Sequence, residues 1–218
     1  NDFGSVVSDI KPLNVLRSES DGLLAWYDFD GNSQDKSGNN RHGSTSGISY
    51  VNGKIMQAVN FDGNNDRITL PSFPIGGSNT FALWLYFENA DDWNAPFDFG
   101  DGGQSFNLRL SIGPFDSSSN TYPVVFDIRN SQYENIVSNY FFSNSSWVHL
   151  TVVLSDTFNL IYKSGNLVHK EIGLTPITKS RTKQWIGKSN WNSDNYRGLI
   201  DDFRIYDRAI SSAEVQAL

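Results

Sequence analysis

Chemistry in this sequence would have to come from carboxylates, amides and indoles. There is no cysteine, and the three histidines, His42, His149 and His169, show no metal-ligand spacing. Of the 24 acidic residues, five are Glu (Glu19, Glu88, Glu134, Glu171 and Glu214) and nineteen are Asp. Hydrolysis of a glycosidic bond uses two carboxyls held a few ångströms apart. No two Glu lie within ten residues of each other, so no strand carries a glutamate pair on one face. Asp91-Asp92 and Asp201-Asp202 are adjacent and would point apart on a regular strand. No Gly-x-Ser-x-Gly elbow is present. A catalytic pair would have to be assembled from separate loops.

Two other patterns carry potential chemistry. Asp28 and Asp30 share one face of a strand by period two, and Asn32 and Asp35 follow in a turn. Such an oxygen-rich turn suits Ca²⁺, which takes six to eight oxygen ligands. It equally suits a plain turn, where short carboxylates and amides accept backbone N–H bonds. The spacing is not that of an EF-hand, which requires a bidentate Glu at position twelve. Trp93, in Asn89-Ala-Asp-Asp-Trp-Asn94, and Trp191, in Lys188-Ser-Asn-Trp-Asn-Ser-Asp-Asn-Tyr196, lie in polar loops without apolar periodicity. A ring so placed either plugs the edge of the fold or presents a face to a ligand. With Tyr196 and the polar neighbours Asp92, Asn94, Asn192 and Arg197, these indoles form a candidate sugar site. Trp26, Trp84, Trp147 and Trp185 fall within strand patterns and are read as core.

The elements that must position these residues are short β-runs separated by Gly, Asn, Asp and Ser clusters. The pattern predicts strands at Leu23–Phe29, Ile55–Phe61, Arg67–Leu70, Thr80–Phe87, Pro96–Phe99, Phe106–Ile112, Val124–Arg129, Trp147–Leu154, Asn159–Lys163, Leu167–Ile172, Gln184–Gly187 and Gly198–Tyr206. Thr151-Val-Val-Leu154 is continuously apolar and β-branched, as in a strand covered on both faces. Ser164-Gly165-Asn166 reads as the loop of a hairpin. Ser211-Ser-Ala-Glu214 reads as a capping box opening one short C-terminal helix. The fold class is therefore all-β: two facing antiparallel sheets in a jelly-roll sandwich. Residues 1–20 read as a leader or linker and 21–218 as one domain.

Composition narrows the partners. The net charge of −7 and pI near 4.8 lack the basic footprint that nucleic acid requires. The same charge disfavours anionic membranes, and no run reaches the length of a membrane span. Aromatics reach 14% while charged residues are only 19%, so a large core is built from few bulky rings and the surface from Asn, Ser and Gly.

Several segments, in order, resemble the concanavalin A-like, laminin-G-like jelly-roll family of bacterial extracellular proteins. They are Gly22-Leu-Leu-Ala-Trp-Tyr-Asp-Phe-Asp-Gly-Asn32, Asp35-Lys-Ser-Gly-Asn-Asn-Arg-His-Gly43, Ala58-Val-Asn-Phe-Asp-Gly63, Trp147-Val-His149 and Gly198-Leu-Ile-Asp-Asp-Phe-Arg-Ile-Tyr206. The resemblance implies a structural calcium held by Asp30, Asn32, Asp35, Asp201 and Asp202, with one of the last two giving its carboxylate. It also implies an extracellular or cell-surface module of a larger protein, with a polysaccharide or glycan, and neighbouring domains of the parent protein, as partners. Non-catalytic carbohydrate binding is the expected function. A protein-interaction or spacer domain is the first alternative, and a glycoside hydrolase or polysaccharide lyase the second.

Overall fold

Every segment expected as a strand from Leu23 onward forms one. The computed structural model describes residues 18, 20–87, 93–103, 105–117, 122–130, 133–142 (backbone only), 145–191 and 195–218. Most of the expected leader, including a strand expected near Leu13–Leu16, lies outside the described residues. So do Asp92 and Asn192.

The strands are β1 (Leu23–Tyr27), β2 (Ser44–Ser46), β3 (Ser49–Asn52), β4 (Gln57–Asp62), β5 (Arg67–Leu70), β6 (Pro74–Ile75), β7 (Asn79–Phe87), β8 (Asn94–Gly100) and β9 (Leu108–Ile112). They continue with β10 (Tyr122–Arg129), β11 (Tyr133–Phe142), β12 (Val148–Leu154), β13 (Phe158–Lys163), β14 (Asn166–Ile172), β15 (Lys179–Ser180), β16 (Lys183–Ile186) and β17 (Arg197–Tyr206), before helix α1 (Ser212–Ala217). Eight strands form one antiparallel sheet, in the order β14-β13-β12-β7-β17-β4-β3, with β1 also on β17. Seven form the other, β11-β10-β9-β8-β16-β5-β2, and β15 pairs with β6. Neighbours distant in sequence lie side by side in both sheets, as in a jelly roll.

Period two places one side of each strand in the core between the sheets. Among the aliphatic residues of that core lie nine phenylalanines, Phe29, Phe61, Phe73, Phe81, Phe87, Phe97, Phe99, Phe126 and Phe203, all buried in one cluster. Phe97 lies centrally, stacked on Phe81, Phe99 and Phe203 at ring separations of 5.0–5.2 Å. Strand β12 is buried along its whole length. Val152 and Leu154 face the main core, while Val153 joins Tyr162, Tyr206, Ile210 and Val215 in a second cluster beneath α1. The helix opens on the expected capping box: the Ser211 hydroxyl accepts from Glu214 N–H, and the Glu214 carboxylate accepts from Ser211 N–H.

The tryptophans overturn the expectation of core placement. Trp26, Trp84, Trp147 and Trp185 are each half-buried rather than internal. In β7, Leu83 and Leu85 take the inner face, so Trp84 between them must point outward. The same alternation expels Trp26 and Trp185. Cations cover the outward rings: Lys54 lies 4.8 Å from the Trp84 centroid and Arg204 4.8 Å from that of Trp26.

Strand β17 joins β1 to the centre of the eight-stranded sheet. Its first half pairs with β4 and its second half with β1, and the switch falls at a bulge between Asp201 and Arg204, where Asp202 has φ 47°. Leu23 faces Tyr206, and just outside this pair Asp207 N–H donates to the Gly22 carbonyl at 2.8 Å.

Candidate functional site

The outer face of the seven-stranded sheet carries a row of polar and aromatic residues running across the strands. Cross-strand register places Ser44, Thr69, Trp185, Asp98, Arg109 and Asp127 successively opposite one another, with Asn135 at the next position on β11. Residues directly opposite point to the same face, so the described side chains form one belt. At about 4.8 Å per strand, the row spans roughly 29 Å, and its centre, Asp98, Arg109 and Asp127, is buried.

At the centre Arg109 lies between two carboxylates. Its Nε donates to Asp127 Oδ2 at 2.7 Å. Asp98 accepts from Asn107 Nδ2 at 2.8 Å, from Ser189 Oγ at 3.1 Å and from Asn190 N–H at 2.7 Å. Burial raises the Asp98 carboxyl above the usual range, against these donors and the Arg109 charge. Both carboxylates of the belt are thus fully engaged.

The loop after β16 covers this centre. Gly187, with φ 80°, makes the reversal; a Cβ there would lie 2.1 Å from the Phe61 ring. The chain then returns over the sheet, and the Trp191 ring lies 4.3 Å from the Arg109 guanidinium. Trp191 is therefore on the sheet face and half-buried. Trp185, directly opposite Asp98, is the belt's second half-buried indole.

The rim site expected from sequence is only partly assembled. Trp93 is 36% exposed, the most open of the indoles, and its ring stands over Gly113 beyond the end of β9. Gly113 is four residues along from Arg109, so Trp93 stands roughly 13 Å from the Trp191 position along the strand direction. Tyr196 corrects the expectation: it is fully buried, edge-on to Phe61, with its hydroxyl donating to the Tyr86 carbonyl at 3.0 Å. Asn94 is also buried, its Oδ1 accepting from Arg197 N–H at 2.8 Å, so it fastens β17 to β8. Arg197 is exposed at the start of β17. Trp185, Asp98, Arg109 and Asp127 were missed because each comes from a different strand. The only local hint was a Trp flanked by Lys183 and Lys188.

The five expected calcium ligands also separate. Asp30 and Asp201 both bind the turn between β3 and β4: Asp30 Oδ1 accepts from Gln57 N–H at 2.9 Å and Asp201 Oδ2 from Ile55 N–H at 2.8 Å. Asp201 Oδ1 is buried without a hydrogen-bond partner. Burial pushes this carboxyl up to about 6, against backbone donors Ile55 and Lys54. Gly53 leaves room for it, since a Cβ there would come within 2.7 Å of Asp201 Oδ2. The groups of the turn that meet these two carboxylates are the N–H groups of Lys54, Ile55 and Gln57, so Asp201 Oδ1 is the oxygen left for a cation. Asp35, by contrast, is engaged in closing its own loop, accepting from the N–H groups of Trp26, Ser37 and Arg41 at 2.9–3.0 Å. Asn32 Oδ1 accepts from Gln34 N–H. The bulge carries Asp202 to Arg204 and the Trp26 indole N–H, rather than to solvent. Among the described residues, no three acidic or histidine side chains gather as a metal cluster.

The profile of the concanavalin A-like lectin/glucanase superfamily matches residues 62–216, and the chain belongs to that superfamily. No curated relative matches the sequence. Domain 4 of AbnA, a GH43 extracellular arabinanase from Geobacillus stearothermophilus solved with arabinotriose, superposes with a TM-score of 0.74 at 22% identity, over 89% of this chain and 97% of that one. The binding domain of Paraclostridial Mosquitocidal Protein 1 gives 0.69 at 17% identity, over 91% of this chain and 52% of that one. The receptor binding domain of botulinum neurotoxin D gives 0.69 at 15% identity, over 92% and 52%. These structures share the fold.

Proposed function

We propose that this domain is a non-catalytic carbohydrate-binding module of a larger extracellular protein, taking a saccharide across the outer face of its seven-stranded sheet. The observation that carries this reading is the pair of half-buried indoles on that face, Trp185 opposite Asp98 and Trp191 over Arg109. Indole faces accept the C–H face of a pyranose or furanose ring, while Asp98, Arg109 and Asp127, buried beneath, hold the sheet face that supports them. The arabinotriose complex of the AbnA domain supports a saccharide as ligand. Binding rather than hydrolysis is favoured because Asp127 is held by Arg109 and Asp98 by three donors, leaving neither belt carboxylate as a free nucleophile or base.

A Ca²⁺ ion would be held by Asp201, through Oδ1, together with Asp30. When bound, it supplies a fixed positive charge that ties the turn after β1 to β17.

Affinity electrophoresis over a polysaccharide panel, with a reducing-end and unsaturated-product assay, tests the function. Retardation without product formation is expected. Trp185→Ala or Trp191→Ala should each weaken binding by about 2 kcal/mol, roughly 30-fold. Retardation by neither polysaccharide nor oligosaccharide would leave a spacer domain, and accumulating product would establish an enzyme.

A further inference from the structure

The ligand class can be narrowed from the charges around Trp185, an argument that rests on the carbohydrate-binding reading. The chain as a whole is acidic, with 24 Asp and Glu against 17 Lys and Arg. Trp185 is an exception to that balance. The Lys183 and Lys188 ammonium groups lie 5.8 and 5.5 Å from its ring centroid, at the outer margin of cation–π range. Among the described residues neither lysine has an ion-pair partner. This contrasts with Lys179, which pairs with Asp101, and with Arg109, Arg204 and Arg208, which all pair with carboxylates. The nearest belt carboxylate, Asp98, is buried and has both oxygens occupied, so it presents little free charge to the surface.

We propose that the Trp185 end of the belt recognises a carboxylated sugar, such as a uronic or nonulosonic acid residue, within the bound saccharide. The indole would receive the apolar face of the sugar ring. The two ammonium groups stand over the indole ring, and a stacked sugar would displace them to its margin, where the substituents of the sugar project. A neutral sugar uses the indole but brings neither cation a counter-charge beyond what the described residues give, whereas a carboxylate provides one. Lys183 is exposed at the start of β16 and Lys188 follows the Gly187 reversal, so both can move to meet a ligand without disturbing the core.

Probes that differ only in charge test this. Calorimetry would compare tetragalacturonate with its methyl ester, and 3′-sialyllactose with lactose, at low and high salt. At least one acidic probe should bind roughly tenfold more tightly than its neutral counterpart at low salt, with the difference shrinking as salt screens it. The Lys183→Ala/Lys188→Ala variant should lose that preference while keeping the wild-type melting temperature and residual neutral binding. Equal affinity for both members of each pair, or a preference surviving in the double variant, overturns the proposal but leaves carbohydrate binding intact. Binding confined to other, neutral glycans does the same. No binding to any glycan overturns both readings.

Discussion

Asp201 has one carboxylate oxygen accepting from Ile55 N–H and the other buried without a donor. A buried acceptor left in that state is costly. The proposed cation, shared with Asp30, would offset the cost, and calcium should then stabilise the folded state by mass action. At a concentration a hundred times its dissociation constant, the gain is about 2.7 kcal/mol. Differential scanning calorimetry in chelator and then in millimolar CaCl₂ should show the melting temperature rising by several degrees. Asp201→Asn should remove that increment. Asp202→Asn should lower the melting temperature by weakening the Arg204 pair while leaving the increment in place. Overlapping melts of the wild type with and without calcium would dismiss the metal. The oxygen-rich composition of these turns was legible in the sequence, but the division of labour was not. Asp35 and Asp30 look alike in a linear string, and only the closed loop shows that three N–H groups already claim Asp35.

At the scale of elements, the most local signals were the most faithful. The hairpin loop at Ser164-Gly165 has φ of 47° and 77°, as a two-residue primed turn requires. The capping box formed where Ser211 and Glu214 were spaced for it. Ser211→Ala should cost about 1 kcal/mol in chemical denaturation. Glu214 adds a pH dependence: the hydrogen bond from Arg208, with donors at Ser211, holds its carboxyl down at about 2, below the ordinary 4.5. A depressed carboxyl stabilises the fold fully above about 4.5, and that stability is lost as pH falls toward 2. Thermal melts from pH 6 to pH 2.5 should therefore fall more for wild type than for Glu214→Gln. Strands without apolar alternation were illegible. Ser44-Thr-Ser46 of β2 is wholly exposed and becomes a strand only by pairing with β5. The indoles misled for a related reason: periodicity says which residues share a face, but not which face is inner when both carry large rings.

Across the whole molecule, nine phenylalanines lie buried in the main core, and Phe97 of one sheet interlocks with Phe81 and Phe203 of the other. Phe97→Ala removes the ring that touches Phe81, Phe99, Phe126 and Phe203 and should cost about 3–5 kcal/mol in urea unfolding. A loss below 1 kcal/mol would mean that the core closes around the cavity with little penalty. The belt exists only at this scale. Its described members come from β2, β5, β16, β8, β9 and β10; β8 to β10 follow one another in the chain, but β16, β5 and β2 do not, so no linear spacing could announce the row. A mechanical consequence follows from the meeting of Leu23 with Tyr206 beside Gly22 and Asp207. Tension applied at these last two would act on the same corner, opening the β1–β17 ladder like a zipper, one rung at a time. Such a corner yields at lower force than strands loaded in shear, so a copy pulled from Gly22 and Asp207 would give way there first, with the β1–β17 rungs opened before the far side of the sandwich is disturbed.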